Sequence, residues 1–288
     1  MESVRIFEVG PRDGLQNIAA PVPTETKIAL IDALSQTGLG AIEATSFVNP
    51  QRVPQLADAA EVMSGIRRIE HVRYSALVPN QRGLTAALAA EMDEIAVFVS
   101  ASEGFSRANL GCDIESSFAR LEPIVEQAKR LGLPVRGYLS CITHCPHDGP
   151  TEPVQVAHLT IRLLAMGCYE VSLGETLGTA FPEQIKRVLA EILQHVPPHQ
   201  LAAHFHDTQG RGLANVDVAL NHGIRTFDSS IAGLGGCPFA PGAAGNVNTR
   251  ALVEMLHGRG FQTGVNLQKL QAAEALAAPL LGIPQVKK

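Results

Sequence analysis

A few residues in this chain have types and spacings that could do chemistry. His204 and His206 lie two apart in L-A-A-H-F-H-D, at the end of an apolar run with strand character. Side chains in a strand alternate faces, so the two imidazoles point the same way. Two imidazoles on one face, at the carboxyl end of a strand, make half of a metal site. Asp13, in G-P-R-D-G, is a carboxylate that could complete it, although R-D-G is also plain turn composition. Two neutral imidazoles and a carboxylate suit a catalytic divalent ion with open positions for substrate oxygens. Asn246 could add an amide oxygen, but an Asn in a glycine-rich loop is also a natural left-handed turn residue. Arg12, beside Asp13, is a candidate clamp for a carboxylate or a developing enolate oxygen. Glu43 interrupts the apolar A-I-E-A-T-S-F; if it faces inward it needs a partner, which Arg12 or the metal shell could supply. Cys237 sits between Gly236 and Pro238, in a loop whose glycines suggest a lid that moves or approaches a ligand closely.

These residues need a frame that gathers strand ends. Strand-like segments at 4–9, 41–47, 74–78, 94–100, 135–140, 169–173, 201–206 and 226–231 alternate with helical segments. The helices are expected at 24–37, 54–63, 81–90, 114–131, 153–166, 182–195, 213–221 and 249–257, with a further apolar segment at 267–281. Thr24 is the expected N-cap of the first helix and Gly38 its stop. Eight strand-then-helix units predict an α/β fold, a (β/α)8 barrel, better than an open doubly wound sheet, because G-P-R-D-G-L-Q is not the glycine fingerprint such a sheet carries after its first strand. The chemistry of a barrel sits at the carboxyl ends of its strands, where the unusual polar residues fall. Strand one lies near strand seven on a closed barrel, across strand eight, which favours the metal reading of Asp13. No linker or composition shift divides the chain, so residues 1–288 read as one catalytic domain with a glycine-rich loop after strand eight and a helical C-terminal segment.

Composition excludes several classes. Hydrophobic residues make up 45% and charged residues 18%, as in a globular protein with a large core. A net charge of −5 and the lack of any Lys/Arg block argue against nucleic-acid binding. No apolar run is long enough to span a membrane, and the N-terminus lacks signal-peptide order. Five cysteines, an odd number, read as reduced thiols in a cytoplasmic protein. The run from Cys141 to His147 has zinc-ligand residue types, but its C-x2-H-C-x-H spacing fits no paired cluster, and incidental thiols in a loop are the better reading.

At residues 8–16 (E-V-G-P-R-D-G-L-Q), 42–48 (I-E-A-T-S-F-V), 135–141 (V-R-G-Y-L-S-C), 167–174 (G-C-Y-E-V-S-L-G), 204–208 (H-F-H-D-T), 232–246 (A-G-L-G-G-C-P-F-A-P-G-A-A-G-N) and 264–270 (G-V-N-L-Q-K-L), the sequence resembles the 3-hydroxy-3-methylglutaryl-CoA lyase family. That family belongs to a superfamily of metal-dependent lyases and Claisen-condensing barrels. R-D-G with H-x-H-D is shared across the superfamily; the glycine-rich stretch is specific to the lyase branch. The resemblance implies a (β/α)8 fold and a Mg2+ or Mn2+ ion bound by Asp13, His204, His206 and Asn246. It implies that Arg12 supports the thioester enolate, that Cys237 is a catalytic thiol on the lid, and that Glu43 is a functional acid. Ser172 and Glu175 fall in the family's S-L-G-D-T stretch as substrate-side residues, with Glu175 standing where the family usually has Asp. Gln209-Gly210-Arg211 replaces Tyr-Gly-Gln of the best-known members. The chain ends at Lys288 without the terminal cysteine of the animal enzymes, so thiol regulation of that kind is not expected.

The implied reaction is retro-Claisen cleavage of a tertiary 3-hydroxyacyl-CoA to acetyl-CoA and a keto acid, acetoacetate if the substrate is 3-hydroxy-3-methylglutaryl-CoA. The alternatives are a lyase for a related acyl-CoA such as citramalyl-CoA, a synthase condensing acetyl-CoA with a 2-oxo acid, and a barrel that binds without turnover. The expected partner is an acyl-CoA substrate, with no nucleic acid and no membrane, and the expected assembly is a homo-oligomer, a dimer.

Overall fold

The computed structural model describes residues 2–235 and 245–281. Eight parallel strands close into a barrel: Arg5–Glu8, Ala41–Ser46, Arg73–Leu77, Glu94–Ser100, Val135–Ser140, Glu170–Glu175, Leu201–Phe205 and Thr226–Ser229. They are called strands one to eight. Strand eight lies between strands one and seven, pairing Phe7 with Asp228 and Asp228 with His204. This is the adjacency on which Asp13 and the histidines depend.

Period-two alternation explains where the core sits. In strand four, Ile95, Val97 and Val99 are fully buried on the outward face, against the helices. In strand five, Val135 and Leu139 do the same, while Arg136 and Tyr138 take the other parity and turn inward. The apolar core is therefore the annulus between strands and helices. The barrel interior, which in this fold is commonly filled with branched aliphatics, here carries Arg136, Glu170, Asp228, Ser172 and His204 joined by hydrogen bonds, with Glu43 bonded to Tyr138 beside them.

The helices follow their local signals. Asn80, Ser102, Asp113 and Asn248 cap their helices with side-chain oxygens. Pro153–Met166 and Pro182–Ile192 begin with proline, whose missing N–H costs nothing at that position. Three expectations change. Thr24 is the first residue of its helix rather than its cap; its hydroxyl bonds Asp58 at 2.8 Å. The helix expected over 54–63 divides into a short turn, Pro54–Leu56, and a helix, Ala59–Gly65, because Gln55 is drawn away to bond Val22, Ile18 and Ala20. An additional helix, Glu103–Leu110, follows strand four directly and stops at Gly111, which is left-handed at φ +67°. No helix among the described residues is long and apolar enough to cross a membrane.

Candidate metal centre

The turn after strand one is wide. The Val9 carbonyl accepts the N–H groups of Arg12, Asp13 and Gly14 at 3.2, 2.7 and 3.2 Å, and Leu15 N–H reaches Gly10, a π-type spacing often found at functional sites. This turn packs directly on the chain leaving strand eight. A Cβ on Gly14 would meet Leu234 Cβ and Ser230 Oγ at 2.9 Å, so only glycine allows the approach. Glu8 ties the same two segments together: its buried carboxylate accepts from Gly10 N–H at 2.8 Å, Ile231 N–H at 2.7 Å and Thr249 Oγ1 at 2.6 Å. Burial pushes the Glu8 carboxyl up to about 7, against the pull of those donors.

His204 and His206 share the interior face, as their spacing requires, with Nε2 atoms 3.3 Å apart. His204 Nε2 lies 3.9 Å from Asp13 Oδ2. One ligating atom from each of Asp13, His204 and His206 lies within 4.8 Å of the other two. Asn246 pairs with His206 through a backbone bridge, and its Nδ2 donates to Asp13 Oδ2 at 2.8 Å. All four expected ligands are thus brought together. Burial would raise the Asp13 carboxyl, but Arg12, His204 and His206 hold it well below the usual carboxylate range. Burial and the neighbouring His204 push His206 down to about 4, which keeps it neutral, as ligation requires. Its Nδ1 is buried with no hydrogen-bond partner among the described residues. Two imidazoles and a carboxylate gathered within ligating distance fit a divalent ion.

Arg12, buried, donates Nε to Glu43 at 2.7 Å and Nη1 to Asp13 at 2.6 Å. Burial disfavours its charge, but Glu43 and Asp13 outweigh that and raise its pKa. Glu43 thus faces inward with the partner expected of it, and also accepts from Tyr138 Oη at 3.0 Å. Ser172 is not offered to the mouth: its Oγ donates to Asp228 at 2.8 Å. Glu175 follows the parity opposite to Glu170 and Ser172, and its Oε1 accepts from Thr143 at 3.3 Å. It is not part of the ligand group. Cys237 lies outside the described residues, as does most of the expected lid loop.

In the loop after strand five, Cys145 lies in a small ribbon, Gly149–Pro150 pairing with His144–Cys145, with its sulfur against Ser102 Oγ and the His147 N–H. No second group with metal-ligand geometry occurs among the described residues. Asp207 of H-x-H-D is structural, accepting from Gly212 N–H at 2.6 Å at the start of its helix. Arg211, in the departing Gln-Gly-Arg stretch, bonds the carbonyls of Thr179 and Ala180 and so ties the loop after strand seven to the loop after strand six.

The HMGL-like family profile matches residues 3–277. The chain belongs to the HMGL-like family. It is 52% identical over 272 residues to the cytoplasmic 3-hydroxy-3-methylglutaryl-CoA lyase of Rattus norvegicus, covering 94% of this chain and 79% of that one. It is 51% identical over 280 residues to the mitochondrial hydroxymethylglutaryl-CoA lyase of Bos taurus, covering 97% and 86%. The crystal structure of the HMG-CoA lyase from Brucella melitensis superposes with a TM-score of 0.96 at 55% identity, covering 97% of this chain and 99% of that one. The chain is accordingly an enzyme, a lyase.

Sequence reasoning missed Tyr138, Arg136, Glu170, Asp228 and Glu8. Their signal was present for four of them: a polar residue at every second position of otherwise apolar strands, as in Arg136-x-Tyr138, Glu170-x-Ser172 and Thr226-x-Asp228.

Proposed function

We propose that this lyase cleaves 3-hydroxy-3-methylglutaryl-CoA to acetyl-CoA and acetoacetate at the rim where Asp13, His204, His206, Asn246 and Arg12 meet. The observation that carries the reading is that group: two imidazoles and a carboxylate from strand ends one and seven, with an arginine fixed alongside. Asp13, His204, His206 and Asn246 would hold a divalent ion, Mg2+ or Mn2+, which when bound lowers the pKa of a coordinated hydroxyl and fixes the geometry of two substrate oxygens. Asp13 would take the proton of the 3-hydroxyl. Arg12 is held by Glu43 with its guanidinium at the rim, ready to stabilise charge on the thioester oxygen as the carbon–carbon bond breaks. Cys237 would return a proton to the enolate carbon of acetyl-CoA. The substrate is supported by the names and identities of the relatives. Location is proposed as cytoplasmic, supported by four cysteines outside any disulfide among the described residues; the relatives' names include both cytoplasmic and mitochondrial forms.

A coupled assay tests this with 3-hydroxy-3-methylglutaryl-CoA and citramalyl-CoA, and with acetyl-CoA plus 2-oxo acids in the reverse sense. Acetoacetate and acetyl-CoA should appear in equal amounts, with the highest kcat/KM for 3-hydroxy-3-methylglutaryl-CoA. A higher kcat/KM for citramalyl-CoA would replace the substrate while leaving the bond cleavage in place.

A further inference from the structure

His204 is held from behind in a way that His206 is not. Its Nδ1 lies 3.2 Å from Asp228 Oδ2, on the side of the ring away from the other ligands. Asp228 is itself enclosed. Arg136 donates Nη2 to Oδ1 at 2.6 Å and Nη1 to Oδ2 at 3.1 Å, and Ser172 Oγ donates to Oδ2 at 2.8 Å. Arg136 is fixed in turn by Glu170, which accepts its Nε–H at 2.8 Å, and its guanidinium stacks 4.2 Å from the Phe7 ring centre. The contacts run from strand six through strands five and eight to strand seven. The orientation of His204 is thus set by the closed barrel and not by its own strand alone.

The polarity of this chain settles where the hydrogen lies. An arginine donates only, and a carboxylate receiving a bidentate guanidinium accepts only. The hydrogen between Asp228 and His204 therefore belongs to the imidazole Nδ1. A neutral ring protonated there carries its lone pair on Nε2, the nitrogen that faces His206 and Asp13. Histidines that bind metals commonly have such a carboxylate behind them, which sets the tautomer and strengthens the ligand.

We propose that Asp228, clamped by Arg136 and Ser172, is a positioning residue that fixes His204 in the Nδ1–H tautomer and presents its Nε2 to the divalent ion. The inference rests on the metal reading of Asp13, His204, His206 and Asn246. Nitrogen-15 NMR of the metal-free, unsubstituted protein at pH 8 reads the tautomer directly: His204 should carry its hydrogen on Nδ1. Hydrogen on Nε2 overturns the proposal, and because no substitution is needed this arm survives a variant that fails to fold. Titration with Mn2+, followed by the electron paramagnetic resonance of the free ion, supplies the second arm. Asp228→Asn should weaken Mn2+ binding by roughly 10- to 100-fold, Ser172→Ala by less, and His204→Ala by more than either. Asp228→Asn with unchanged affinity and tautomer would overturn the role of Asp228. His204→Ala binding Mn2+ as tightly as the unsubstituted protein would instead overturn the metal reading itself.

Discussion

Arg12 and Arg136 are built from the same parts and end in different trades. Each is a buried arginine between two carboxylates: Arg12 between Glu43 and Asp13, Arg136 between Glu170 and Asp228. Arg136 is wholly enclosed, and all three of its nitrogens are spent on those carboxylates. Arg12 stands at the rim on the wide turn after strand one, and its Nη2 makes no bond to a described residue. A guanidinium whose three nitrogens are all bound to fixed carboxylates holds its neighbours in place. One with an unspent edge facing a mouth can meet charge that develops on something else. On the proposed function, position along the barrel axis, and not residue type, separates support from chemistry.

The largest effect should come from the enclosed arginine. Arg136→Met would leave buried Asp228 without its arginine and Glu170 with Arg5 alone, and breaking a buried ion pair in this way costs about 3–5 kcal/mol. Urea unfolding should show it as a lowered midpoint with the slope unchanged. Arg12→Gln should act on rate instead. In the proposed role its charge is needed chiefly as the enolate forms, so kcat should fall by about 10²–10³ with little change in KM. If Arg12→Gln raised only KM, or if Arg136→Met left the urea midpoint in place, the two arginines would not divide as described.

Glu8 sharpens the same contrast from the other side, since it is a buried carboxylate with no arginine. Only neutral groups reach it, and its pKa is pushed up to about 7 where Asp13 and Asp228, each facing an arginine, are held below the ordinary range. Between the ordinary carboxylate value near 4.5 and about 7 the folded state binds the extra proton. Stability from this group is therefore full below pH 4.5 and is lost as pH rises through 7, by about 3 kcal/mol in all. Glu8→Gln should flatten that loss, so the difference in unfolding free energy between variant and parent should grow from pH 4.5 to 7. A constant difference across that range would show that the Glu8 carboxyl is ionised throughout.

The smallest effect is expected at Glu175. Because its carboxylate reaches Thr143 and not the ligand group, Glu175→Asp should leave the ratio of kcat/KM for 3-hydroxy-3-methylglutaryl-CoA and citramalyl-CoA unchanged and cost about 1 kcal/mol of stability for the lost methylene. A shifted ratio would return Glu175 to the substrate side of the site.

What was legible in the chain had a short-range signature. His204 and His206 declare their common face by a spacing of two, and the order of strand and helix segments declares the barrel. The group of Asp13, His204 and His206 could be assembled because strand one and strand seven must flank strand eight once the sheet closes. The support behind it has no such signature. Asp228 finds Arg136 across 92 residues, and Glu43 finds Tyr138 across 95. Each looks like an ordinary polar residue in its own strand until the barrel brings the inward parities together. Thr24 is likewise placed by a distant partner: Asp58, 34 residues away, accepts its hydroxyl, and the helix begins at Thr24 with Pro23 before it.

On the proposed function, Asp13, His204, His206 and Asn246 hold a divalent ion without which the carbon–carbon bond is not broken. The most direct test of this is the initial rate of acetyl-CoA release from 3-hydroxy-3-methylglutaryl-CoA by chelator-treated, metal-free protein, before and after addition of Mg2+ or Mn2+. The rate should be abolished by chelation and restored by either ion in the unsubstituted protein, and restored by neither in Asp13→Ala. A full rate from the metal-free protein would contradict the account.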